Sequence, residues 1–245
     1  MRLLVTGLPR SGTSATANLL SRATGMSLLD DPEEVMAIGE MTPTTEWLTD
    51  LWEILDGSDI VKAPRLSEVL TQLQGIRSDF MTVILVRDPR DVYCSVMEKV
   101  RTGRRTTMLD NDRFLPLSKA PHDGVAAAAA FYHREQVRSY KLNPTQTLIM
   151  NYQHLAVAPD LEIERLSQLL GYDFNSLTVD DLLRQWGPME AKFENVIVGP
   201  GRWTRELSRS VADRIFSIAG PDYLEASSFC ICSLCELGGG GHGDS

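Results

Sequence analysis

Short apolar runs alternate with amphipathic stretches along most of this chain. Runs suited to buried strands fall at residues 3–6, 59–62, 81–86 and 147–150. Nearly continuous apolar character of this kind is what a parallel sheet covered on both faces requires. Between the runs the pattern predicts helices. One spans 15–22, one spans 65–75 with a stop at Gly75, and one spans 91–100 after Pro89. A fourth spans 124–140 around a run of five alanines, the best helix formers, and a fifth spans 160–170, closed by Gly171. Strands alternating with helices predict a single doubly wound α/β domain over residues 1–225, with a P-loop-like parallel sheet. Residues 103–123 mix Arg, Asp, Pro and Gly and read as a long surface loop or lid. Residues 226–245 read as a Cys-containing, Gly-rich flexible tail.

The first apolar run leads into Gly7-Leu8-Pro9-Arg10-Ser11-Gly12-Thr13-Ser14 and then a helix. Strand, glycine-bounded turn and helix form an anion-binding geometry. The turn gathers backbone N–H groups, and the helix N-terminus adds partial positive charge. Arg10 brings a full charge; Ser11, Thr13 and Ser14 bring hydroxyls. The spacing of Gly7 and Gly12 nearly fits the nucleotide-triphosphate loop G-x-x-x-x-G-K-[ST]. However, Thr13 stands where that motif places its phosphate-binding lysine. The strand over 81–86 ends in Arg87, not in a carboxylate for Mg²⁺.

Composition narrows the ligand. Of 245 residues, 43% are hydrophobic and 23% charged, an ordinary balance for a globular chain. The net charge of −9 argues against a nucleic-acid partner, so an anionic ligand must meet local Arg and Lys clusters. No run is long enough for a membrane helix, and the start does not read as a secretory signal, which gives a cytoplasmic expectation. Cys94 sits in a helical pattern as a packing residue. Cys230, Cys232 and Cys235 read as an ordinary reduced tail; a three-thiolate metal site with His242 is the alternative.

A second motif, Val86-Arg87-Asp88-Pro89-Arg90-Asp91-Val92-Tyr93-Cys94-Ser95, begins where a strand meets the ligand edge of an open α/β sheet. Pro89 and Asp91 suit a helix N-terminus. Ser95 lies one turn further on, so Arg87 and Ser95 could converge on a second phosphate. The competing reading makes Arg87 a surface ion-pair partner and Asp88 a simple cap.

Together the two motifs resemble the sulfotransferase family, which uses 3′-phosphoadenosine 5′-phosphosulfate (PAPS) and releases adenosine 3′,5′-bisphosphate without a metal. Pro9-Arg10-Ser11-Gly12-Thr13-Ser14 resembles that family's 5′-phosphosulfate loop, P-[KR]-S-G-T-[ST]. Arg87 and Ser95 stand at the separation of its 3′-phosphate pair. Asn151-Tyr152-Gln153-His154-Leu155 resembles its Y-E-x-L segment, and Gly201-Arg202-Trp203 resembles its late glycine-rich loop over the 3′-phosphate. The resemblance covers roughly residues 2–207. It implies cofactor contacts from Arg10, Ser11, Gly12, Thr13, Ser14, Arg87, Ser95, Tyr152, Gly201, Arg202 and Trp203.

The departures point to a branch. The K-T-H strand end of the cytosolic small-molecule enzymes reads Lys62-Ala63-Pro64 here, keeping the lysine and losing the histidine base. Ala15 replaces their adenine-stacking aromatic, and no R-K-G triplet precedes Gly201. The chain is more similar to bacterial and carbohydrate- or protein-directed members, which often use a glutamate base on a loop after the first helix. Glu40 fits that position, with Glu33, Glu34, Glu46, His133 and His154 as rivals. Arg10 and Lys62 would stabilise developing charge. The acceptor is a hydroxyl of a glycan, lipid, peptide or small molecule. Arg101, Arg104 and Arg105 are either a solvated patch or a contact for an anionic acceptor or the 3′-phosphate. A P-loop small-molecule kinase and a non-catalytic nucleotide-binding protein are the alternative readings.

Overall fold

The computed structural model describes residues 2–36, 38, 43–103, 121–172 and 201–232. Five strands form one all-parallel sheet in the order β2-β3-β1-β4-β5. They are β1 (Arg2–Gly7), β2 (Leu28–Asp30), β3 (Ile60–Lys62), β4 (Phe80–Val86) and β5 (Thr147–Asn151). After β1 the chain goes to the edge strand β2, returns to β3 between the two, then crosses to β4 and β5 on the other side of β1. The connections leaving β1 and β4 therefore diverge, which opens a crevice at the carboxyl ends of these two neighbours.

Alternation along the strands sends side chains to two cores. Leu3, Val5, Val83, Leu85 and Met150 pack with α1 (Thr13–Thr24) and α8 (Pro159–Leu170). Leu4, Ile84, Val86 and Ile149 pack on the opposite face with α3 (Thr45–Leu55) and α4 (Leu70–Ile76). A third cluster joins Leu8 to α5 (Pro89–Arg101), α6 (Pro121–Leu142) and the C-terminal helix α10 (Arg209–Ser228). The alanine run explains that contact: Ala126, Ala128, Ala129 and Ala130 are buried where α6 meets its neighbours, so small side chains let the helices approach. Cys94 packs as expected, its thiol pushed up to about 12, first by burial and then by Glu206.

Helix starts follow local chemistry. Asp88 accepts from the Arg90 amide while Pro89 supplies the fixed φ of the first α5 turn. Asn151 accepts from the Gln153 amide to start α7 (Tyr152–Val157). Gly171 ends α8 in the left-handed region at φ 70. Glu33 and Glu34 open the one-turn helix α2 (Glu33–Met36), and Glu46 lies exposed in the first turn of α3.

Several elements differ from the sequence reading. The three-residue edge strand β2 was too short to show periodicity. Helix α3 and the twenty-residue α10 were not anticipated. The helix expected over 65–75 is two pieces, a 3-10 turn Pro64–Glu68 and then α4, which runs through Gly75 to Ile76. The break falls at Val69, whose ψ of 11 at φ −127 leaves the helical region. The Thr6 hydroxyl holds the 3-10 turn on the sheet through the carbonyls of Ala63 and Pro64 and the Ser67 hydroxyl. Residues 121–123 of the expected loop are the first turn of α6, and 104–120 lie outside the described residues. Of the expected tail, α10 continues to Ser228 and residues 230–232 run beside β5, where Ile231 donates to the Ile149 carbonyl at 2.9 Å.

One buried network ties the sheet to two helices. Gln74 of α4 donates to Thr147 at 3.0 Å and Thr82 at 3.4 Å, and accepts from Ser139 at 2.9 Å and Asn143 at 3.0 Å. Gln74→Ala leaves buried hydroxyls without partners at a cost of about 1–3 kcal/mol each. We expect a net loss of about 3 kcal/mol, read as a fall of roughly 6–12 °C in melting temperature; a shift under about 2 °C would show that the network contributes little.

Candidate active site

The crevice is built by two connections. The loop after β1 turns on three residues with positive φ: Gly7 at 151, Arg10 at 74 and Gly12 at 95. Gly7 is required sterically, because a Cβ there would sit 2.5 Å from the Leu85 carbonyl oxygen. Gly12 is required more strongly, because a Cβ would lie 2.0 Å from Cδ2 of Tyr152. The aromatic ring thus occupies the space that the missing side chain leaves. Gly12 opens α1 with no side-chain cap, so the first amides of the helix keep their donors for another acceptor.

Arg87 follows β4 directly and reaches across. Its Nη1 donates to the Arg10 carbonyl at 2.9 Å, and its guanidinium lies 4.6 Å from the centre of the Tyr152 ring. Arg10 completes the link in the other direction, its Nε donating to Ser95 Oγ at 3.0 Å. The structure therefore brings together Arg10, Ser11, Gly12, Arg87, Ser95 and Tyr152, residues drawn from three separate motifs.

Two buried polar atoms here, Ser11 Oγ and Arg87 Nε, have no partner among the described residues. Arg87 is only 5% exposed. Burial lowers its pKa most, with Arg202 adding to the effect and Tyr152 and Asp91 opposing it. Arg10 is lowered by burial first and then by Arg87, with Arg202 again adding. Three guanidinium groups thus repel one another inside a partly desolvated crevice. Such a cluster, with an orphaned hydroxyl and an orphaned N–H, has the chemistry of an anion receptor.

The late segment docks on α5. The Asp91 carboxylate accepts from the amides of Gly201 at 2.8 Å and Trp203 at 3.1 Å. Arg90 lies 3.7 Å from the centre of the Trp203 ring and 4.3 Å from that of Phe216. Arg202 is held by Glu98 at 3.0 Å and by Glu206, its neighbour in the short helix α9 (Trp203–Glu206). Burial disfavours its charge, but these carboxylates outweigh that and raise its pKa. Sequence reasoning missed Arg90, Glu98 and Glu206 as partners, and it read Asp91 only as a helix-start residue. No spacing rule connects residues 91 and 203.

The remaining candidates are dispersed. Lys62 ends β3 beside Val5, almost fully buried, and pairs with Asp30 at 3.1 Å and with Asp31. Thr13 is buried in the first turn of α1, and Ser14 beside it is exposed. Glu40, Arg104 and Arg105 lie outside the described residues, and Arg101 is exposed at the end of α5. His154 is half-buried in α7 near Cys230 and Cys232. His133 is fully buried in α6 with its ring 5.6 Å from that of Tyr223, and neither ring nitrogen has a partner among the described residues. So placed, it cannot meet an acceptor.

A family model described as the sulfotransferase domain matches residues 1–197, so the chain belongs to the sulfotransferase family. No curated protein matches the sequence. Several solved structures share the fold. A sulfotransferase from Alicyclobacillus acidocaldarius is 15% identical with a TM-score of 0.56, over 96% of this chain and 95% of that one. A mouse sulfotransferase complexed with PAP is 13% identical with a TM-score of 0.54, over 91% and 84% of the two chains. The sulfotransferase domain from the curacin biosynthetic pathway is 13% identical with a TM-score of 0.51, over 71% and 75%. Among the described residues, no helix is long and apolar enough to cross a membrane.

His133 gives a pH signature. Burial drives its pKa from 6.5 to about 3, so the unfolded chain takes up a proton that the folded chain refuses. This lowered pKa makes stability rise with pH between those values, complete above about 6.5 and lost progressively below it. Between pH 7.5 and 5 the group accounts for a loss of about 2 kcal/mol. Urea unfolding at both values should show that His133→Leu abolishes this part of the difference; an identical loss in the variant would place the acid sensitivity elsewhere.

Proposed function

We propose that this sulfotransferase uses PAPS as donor and transfers its sulfuryl group to an acceptor hydroxyl by in-line displacement, with Glu40 as base. The observation that carries the reading is the reciprocal link between the two phosphate motifs: Arg87 Nη1 on the Arg10 carbonyl, and Arg10 Nε on Ser95. It puts two separated basic groups at the edge of one crevice, as a donor charged at both ends requires. Ser11 Oγ and Arg87 Nε, buried and without a partner among the described residues, fit phosphate or sulfate oxygens.

PAPS supplies the sulfuryl group, and adenosine 3′,5′-bisphosphate is what remains. The chain's own residues divide the work. Loop amides, Arg10, Ser11, Gly12, Thr13 and Ser14 hold the 5′-phosphosulfate end. Arg87, Ser95, Gly201, Arg202 and Trp203 hold the 3′-phosphate end, and Tyr152 packs between loop and Arg87. Glu40 takes the acceptor's proton, for which desolvation must raise its pKa toward the working pH. Arg10 and Lys62 present positive charge where negative charge grows on the departing side, which is the largest catalytic term in many enzymes. Asp30 and Asp31 hold the Lys62 ammonium in place. No divalent ion is required on this reading. The carboxylates nearest the end of β4 are already engaged, Asp88 by Arg90 and Asp91 by two amides, which disfavours a Mg²⁺-dependent kinase.

The test is a thermal-shift screen of ATP, AMP, adenosine 3′,5′-bisphosphate and PAPS, since a ligand of the native state raises the melting point by mass action. A response confined to the two 3′-phosphorylated compounds is expected; an equal or larger, Mg²⁺-dependent response to ATP would overturn the reading. Arg87→Ala removes a charge-assisted contact of about 1.5–3 kcal/mol. Calorimetry should show adenosine 3′,5′-bisphosphate binding weakened roughly ten- to hundred-fold, and an unchanged constant would remove Arg87 from the site. Glu40→Gln is expected to keep bisphosphate affinity while turnover, scored against glycan, lipid, peptide and phenol acceptors, falls about 10²- to 10⁴-fold. Undiminished turnover would assign the base elsewhere.

A further inference from the structure

On the far side of the Tyr152 corner, three metal-ligating groups meet. The ligand atoms of His154, Cys230 and Cys232 all lie within 4.8 Å of one another. They come from two distant stretches of chain. His154 is in the first turn of α7, and the cysteines follow α10 on the short extended segment beside β5. Cys230 and Cys232 are two residues apart there, so their side chains share a face.

We propose that His154, Cys230 and Cys232 bind a thiophilic metal ion, Zn²⁺. Two thiolates and an imidazole select Zn²⁺ over the oxygen-seeking Mg²⁺ and Ca²⁺. Tetrahedral Zn–S and Zn–N bonds of about 2.3 and 2.0 Å place neighbouring ligand atoms about 3.5–3.8 Å apart. The observed cluster, within 4.8 Å throughout, therefore closes with a contraction of at most about 1.3 Å. Asn151 prepares it: its backbone N–H donates to Cys230 Sγ at 3.1 Å and Cys232 Sγ at 3.3 Å, and the Cys232 N–H also donates to Cys230 Sγ at 3.4 Å. These contacts hold the two sulfurs side by side at the Asn151 amide. Cys232 is buried, while His154 and Cys230 are half-buried, so the cluster reaches the surface. Binding releases both thiol protons to solvent, and the imidazole stays neutral.

The ion would clasp the chain after α10 to the corner between β5 and α7, behind Tyr152. The assignment does not depend on PAPS use, so the two can fail separately.

The full chain, stripped with a chelator under reducing conditions, is titrated with Co²⁺ and then Zn²⁺. One equivalent of Co²⁺ should give a thiolate-to-cobalt charge-transfer band and release about two protons, and Zn²⁺ should abolish the band. Mg²⁺ and Ca²⁺ should not compete. Cys230→Ser and Cys232→Ser should lose the band, and His154→Ala should weaken Zn²⁺ binding more than about tenfold. Circular dichroism of the metal-free variants checks that they fold. Zn²⁺ should raise the melting point of the native chain but not of Cys230→Ser. No band with the native chain, or a band that survives both cysteine substitutions, would overturn the site, as would capture of Cu⁺ with no uptake of Co²⁺ or Zn²⁺.

Discussion

Arg10 has a left-handed backbone, and the crevice takes its form from that turn. A non-glycine residue there costs on the order of 1 kcal/mol. Two contacts hold it: its carbonyl receives Arg87 and its side chain reaches Ser95. One residue thereby joins the connection leaving β1 to the connection leaving β4. Gly12, two residues on, lets the Tyr152 ring close against the same loop, and that ring carries the Arg87 guanidinium. Loop, aromatic ring and guanidinium therefore form one rigid stack.

The stack concentrates positive charge. Arg10, Arg87 and Arg202 each feel the others, and burial weakens the water screening that would separate them. Glu98 and Glu206 neutralise Arg202, and Asp91 is taken up by two backbone amides. The repulsion between Arg10 and Arg87 is offset in part by Glu98 on one side and by Tyr152 and Asp91 on the other. A multiply charged anion between them would relieve it, whereas a neutral ligand would not. Differential affinity for charge at two points is a route by which such a fold discriminates among nucleotides.

Local chemistry made much of this legible from the sequence. The loop from Gly7 to Ser14 carries its own glycines and hydroxyls, and Pro89 and Asp88 announce α5, so both phosphate motifs could be read in place. The longer strands were visible because both sheet faces are covered, which makes β1 and β4 mostly apolar. What stayed hidden depended on contacts across the chain. The Asp91 carboxylate means little until Gly201 and Trp203 are folded onto it, 110 and 112 residues away. The break at Val69 follows from Thr6 gripping the turn over 64–68. Cys230 and Cys232 read as a tail because their histidine partner lies in α7.

The residues that fix the Tyr152 corner extend past the region matched by the family model, which ends at 197. Tyr223 of α10 accepts from Asn151 at 3.2 Å and donates to Gln153 at 2.6 Å. These residues flank Tyr152, and the Asn151 amide meets the two cysteine sulfurs. The corner is thus held from behind by residues 223–232 and from in front by Gly12 and Arg87. Loosening the rear contacts would free Tyr152 to rotate away from the loop, and the space beside Gly12 would lose its occupant. On the proposed reading, ligand affinity depends on the C-terminal segment as well as on the opening loop, because residues 223–232 back the ring that Gly12 admits.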